Sequence, residues 1–154
     1  MKKISITPLV IFILLSGCAS VPSTDTTKAN EVKKFKAPQN EYSGVYIYRK
    51  DAMLGSALKK DIYIDGKCVG ESAPGVFFYS EVDGDREHTI GTESEFSPNN
   101  LKIFTEKGKL YFIEQYIKFG FFVGGADLKS VEVQEGKTEV IKTDLAIQGN
   151  CSSI

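Results

Sequence analysis

The chain has 154 residues, 42% of them hydrophobic, with 19 basic and 20 acidic side chains and a net charge of −1. That length supports one domain with a real core and is too short for two. The near-neutral balance lacks the basic footprint that nucleic acid requires, so no nucleic-acid partner is expected.

In chain order, the first feature is Met1-Lys2-Lys3. An apolar run from Ile4 to Leu15 follows, and then Leu15-Ser16-Gly17-Cys18. The run is too short to cross a bilayer as a helix, and it has the charge order of a secretory signal. The stretch resembles the bacterial lipobox, in which a lipoprotein signal peptidase cuts just before an acylated cysteine. The resemblance implies a signal peptide over residues 1–17, cleavage between Gly17 and Cys18, and palmitate-type acylation of Cys18. A soluble secreted protein cut nearby and an uncleaved anchor are the rival readings. One acyl chain holds a protein only marginally, at about 0.8 kcal/mol per buried CH₂, whereas two or more make attachment stable. Ala19, not Asp, follows the cysteine. In a Gram-negative envelope that implies sorting to the outer membrane, with the domain facing the periplasm. Without the leader, 17 basic residues face 20 acidic ones, a net charge of about −3.

Residues 18–40 are mostly Ser, Thr, Asp, Asn, Lys and Pro. They read as an acylated cysteine on a flexible tether, with at most a turn of helix or strand at Glu31–Phe35. The domain is expected over residues 41–147. Tyr42–Arg49 is a first strand, and Asp51–Lys60 a loop or single helical turn. Asp65-Gly66 between extended runs is a strong hairpin signal, because a primed turn needs positive φ at both positions. Further strands are expected at Val76–Val82, His88–Gly91, Leu101–Thr105 and Leu110–Phe119, with a last short one at Val131 and Val133. Lys137–Thr143 reads as a short C-terminal helix or, equally, an extended segment, and residues 148–154 as a frayed tail. Many short strands and glycine turns predict an all-β fold, a small antiparallel β-sandwich or partly rolled sheet.

The run Asp61–Ile90, with its Asp65-Gly66 turn, Lys67-Cys68-Val69-Gly70 and Glu87-His88-Thr89-Ile90, resembles the PEGA-type surface module. Asp83-Gly84-Asp85-Arg86 stands where that family has a Pro-Gly pair. Residues Glu41 to Ile147 resemble a broader family of bacterial lipoproteins filed as a domain of unknown function. The resemblance implies a non-enzymatic surface or envelope domain.

Little in the chain points to catalysis. His88 is the single histidine. A triad would need it near Asp85 or Glu87 and Ser80 or Ser94; otherwise it is a polar residue on a hairpin strand. Asp83, Asp85 and Glu87 alternate in a turn without the spacing of a calcium loop. No phosphate cradle is present, so neither a metal nor a cofactor is expected. Cys68 and Cys151 would close a loop of about 80 residues if bridged in an oxidising compartment. The alternative is a half-buried Cys68 and a loose Cys151. Phe119, Phe121, Phe122 and Val123, beside glycines, form a partner-binding or lipid-docking loop; alternatively Phe119, Phe121 and Val123 fill the core. The leading reading is a non-enzymatic lipoprotein serving envelope structure or a protein complex. A small-ligand or glycan binding module and an inhibitor or immunity lipoprotein are the alternatives.

Overall fold

A computed structural model of the chain describes residues 17–122 and 124–152. Its elements are α1 (Thr26–Val32), β1 (Tyr42–Arg49), β2 (Lys60–Ile64), β3 (Lys67–Ser72), β4 (Val76–Asp83) and β5 (Arg86–Thr92). They continue with β6 (Asn99–Thr105), β7 (Leu110–Lys118), β8 (Gly125–Val131), α2 (Val133–Ile141) and β9 (Asp144–Leu145). A five-stranded sheet runs β8-β7-β1-β4-β9 and a four-stranded one β3-β2-β5-β6. The expected hairpin is present, with Asp65 at φ 50° and Gly66 at φ 75°.

The layers follow from the side-chain alternation of the central strands. On β1, Val45 and Ile47 point into one core with Phe78 of β4 and with Ile62, Ile64 and Ile90 of the second sheet. Tyr46 and Tyr48 point the other way, into a second core with Phe77, Phe112, Ala29 of α1 and Val140 of α2. The larger sheet is therefore covered on both faces, by the smaller sheet and by the helices.

The all-β expectation is overturned: this is a mixed α/β fold of two open sheets, not an antiparallel β-sandwich. β7 pairs parallel with β1, Tyr46 opposite Phe112, and β9 pairs parallel with β4. Two further corrections concern the helices. Val133, expected in a strand, opens α2, which starts before the helix expected from Lys137. Gly136 is there for close approach, since a Cβ would come within 2.3 Å of Phe112 Cβ. α1 occupies part of the expected tether, capped by Asp25, whose carboxylate accepts from the Lys28 amide at 3.0 Å.

Candidate functional site

Three loops gather at one end of the two sheets. They join β1 to β2 (residues 50–59), β5 to β6 (93–98) and β7 to β8 (119–124). Their bases touch: a Cβ on Gly55 would meet Ile117 Cγ1 at 2.5 Å, and one on Gly124 would meet Leu58 Cδ1 at 2.8 Å. Arg49, buried at the end of β1, donates to the Leu58 carbonyl at 2.8 Å and the Gly55 carbonyl at 2.6 Å. Burial pushes its guanidinium down to about 10, so it stays protonated at neutral pH and clamps the first loop. The Glu95 carboxylate accepts from the Phe121 and Phe122 amides, which ties the second loop to the third.

On this frame stand exposed apolar side chains: Phe96 (78%), Phe119 (87%), Phe121 (84%), Phe122 (78%) and Met53 (94%). The Phe122 ring lies edge-on to Phe121 at 4.9 Å and to Phe96 at 6.5 Å. Phe119 and Phe121 thus do not fill the core, and Val123 lies outside the described residues. Phe96 and Met53 were missed by sequence reasoning. Phe96 is a lone aromatic in a polar loop and Met53 sits beside Leu54 in a separate one, and only the fold brings them to the end that carries the phenylalanines.

The start of the described chain reaches the same end. The Ala19 amide donates to the Ser56 carbonyl at 2.7 Å, and Cys18 is exposed beside it. A Cβ on Gly17 would meet nothing within 4 Å. Val21 packs against the inter-sheet core, and the Thr24 and Ile147 amides bond to the Leu145 and Pro22 carbonyls at 2.8 and 2.9 Å. The flexible tether expected over residues 18–40 is instead laid along the domain. The leader residues 1–16 lie outside the described residues.

Cys68 and Cys151 are joined by a disulfide, with their Cα atoms 6.1 Å apart. The segment expected to fray is held: the Gly149 amide bonds to the Val69 carbonyl at 2.9 Å and the Ser152 hydroxyl to Asp61 at 2.7 Å.

His88, 3% exposed, sits on the wall of an open groove of about 290 Å³, with Asp65, Ser80 and Asp83 on its rim. Its Nδ1 lies 2.6 Å from Asp65 Oδ2 and its Nε2 2.8 Å from the Asp83 carbonyl oxygen. Both ring nitrogens therefore lie within hydrogen-bond reach of an oxygen. The partner is Asp65, across the hairpin, and not Asp85 or Glu87. The latter two pair with Lys107 and Lys102, and Asp83 with Arg86. Each carboxylate of the acidic turn is therefore already neutralised. Among the described residues no group of three or more His, Cys, Asp or Glu is arranged to hold a metal.

Burial acts to raise the Asp65 carboxyl, but the Thr89 amide, His88 and Arg86 outweigh it and hold it below the usual range. A lowered folded value means that Asp65 contributes stability above its unfolded value of about 3.9, which is lost as pH falls through the folded one. Thermal midpoints measured against pH should therefore fall more steeply below about pH 4 in the wild type than in Asp65→Asn. Asn tolerates the positive φ of this turn, so the substitution keeps the backbone conformation while removing the charge and one acceptor oxygen.

A family model for proteins of unknown function, DUF2846, matches residues 29–126. A protein of Haemophilus influenzae, described only as uncharacterized, is 53% identical over 137 residues, or 89% of this chain and 80% of its own length. No solved structure matches the chain.

Proposed function

The chain belongs to the DUF2846 family of proteins of unknown function, and from that premise we propose that it is a non-enzymatic lipoprotein of the bacterial outer membrane. Its lipid is carried by Cys18, and its domain faces the periplasm, serving envelope structure or a protein complex. The observation that carries this reading is the use of the cysteines. Two of the three pair with each other, and Cys18 is left free and exposed at the position the lipobox-like motif requires. A disulfide favours an oxidising compartment, which in a bacterium lies outside the cytoplasm. The relative in Haemophilus influenzae, a Gram-negative bacterium, supports an envelope with an outer membrane. A non-enzymatic role is supported by His88, whose two nitrogens are both engaged. Ligand capture has less support. The buried aromatics pack on one another, Tyr46 on Phe112 at 4.8 Å, and do not line a cavity.

Membranes from cells expressing the full chain should yield an amino-terminal peptide that starts at Cys18 and carries acyl mass. Cys18→Ser should abolish the acyl mass and cleavage at Gly17-Cys18, and the protein should be lost from the outer-membrane fraction. Recovery of an unmodified Cys18 peptide from the wild type would sink the proposal.

A further inference from the structure

We infer that the three-loop end is a membrane-docking surface: Phe96, Phe119, Phe121, Phe122 and Met53 enter the lipid interface beside the acyl anchor. The inference rests on the lipoprotein reading above and adds to it an orientation and a second point of attachment. Position decides the occupant. Ala19 is hydrogen-bonded to Ser56, within the loop that carries Met53. Cys18 is one residue away, and adjacent Cα atoms are about 3.8 Å apart. Acyl chains on Cys18 therefore bring the bilayer surface to this loop. Residues 19–24 are hydrogen-bonded along the domain, so the anchor leaves it little slack.

Chemistry agrees with position. The exposed groups are four phenyl rings and a thioether, which gain by leaving water and carry no polar atom that must find a partner. The Phe121 and Phe122 amides at the tip are already bonded to Glu95, so inserting the rings strands neither donor. Two or more weak attachments, chain and side chain, act together once the first has confined the second.

The chain has no Trp, so a single introduced Trp reports its own surroundings. Acylated full-length protein is reconstituted in vesicles of phosphatidylethanolamine and phosphatidylglycerol, some of the lipids brominated on their acyl chains. Phe122→Trp should be quenched several-fold more strongly than Phe104→Trp. Phe104 is equally a surface ring, on β6, but roughly 16 Å along the strand from Asn99, where the second loop ends. Adding Phe96→Ser and Phe121→Ser to the Phe122→Trp protein should remove most of its quenching while leaving the anchor in place. Both changes fall on exposed rings, and an unchanged thermal midpoint would show the fold intact. Equal, weak quenching at both Trp positions in a protein whose Cys18 is acylated by mass overturns the docking surface and leaves the lipoprotein reading standing. So does quenching that survives the double change, because proximity to the anchor would then explain it. An unmodified Cys18 overturns the lipoprotein reading and the docking surface with it.

Discussion

Replacing Cys68 and Cys151 together by Ser is expected to lower the unfolding free energy by about 4–5 kcal/mol in the chain-entropy account of cross-links. The bridge spans 83 residues of sequence, so it constrains more than half of the unfolded chain. In the folded state it ties the segment after β9 to the β2–β3 hairpin. The neighbouring bonds, from Ser152 to Asp61 and from Gly149 to Val69, hold the same segment. Those bonds bring about 1 kcal/mol each and do not restrict the unfolded chain. Urea titration of the oxidised wild type against the double Ser variant separates the contributions. A difference below about 1 kcal/mol would mean that the bonds alone fix the tail. For a domain of this size, whose total stability is on the order of 5–15 kcal/mol, the expected loss is a large share. Oxidation of the pair is then a large contributor to the stability of the domain.

What could be read from the residues was mostly local. The Asp65-Gly66 hairpin and the strands from Val76 to Lys118 each carry their signal within ten residues. The layer order does not, yet a trace of it is present in β1. A strand with one wet face alternates apolar and polar, whereas Val45-Tyr46-Ile47-Tyr48 is apolar or aromatic at every position, and all four are buried. Such a run belongs to a strand covered on both sides, as in sheets that carry helices. The first turn of α2 was missed because a glycine weakens a helical reading, and the reason for Gly136, Phe112 of β7, is 24 residues away. The end surface was less legible: the phenylalanines of one loop could be read as a docking surface or as core, and Phe96, Met53 and the return of Ala19 to Ser56 are products of topology.

Tyr46→Ala is expected to cost about 3–5 kcal/mol, the usual range for truncating a large buried aromatic. The ring is 1% exposed and stacks on Phe112 at 4.8 Å, with Tyr79 at 4.6 Å and Phe35 at 5.3 Å around it. Its hydroxyl donates to the Val32 carbonyl at the end of α1 at 2.8 Å, and burial holds that hydroxyl well above the usual tyrosine range. Tyr46→Phe keeps the ring and loses the one hydrogen bond, so it should cost only about 1 kcal/mol. The ratio of the two tests whether packing or the polar contact holds the helical layer. α1 has seven residues, too few to persist alone, since isolated helices below about 12–15 residues are marginal. Its persistence therefore depends on Tyr46 and on Phe35, whose φ of 50° turns the chain so that its ring meets Tyr46 and Phe112. Hydrogen exchange should show the Lys33 amide, bonded to Ala29 in the wild type, losing protection in Tyr46→Ala well before the β1 amides do. If the two regions lose protection together, α1 is an integral part of the folding unit and not a strap laid on it.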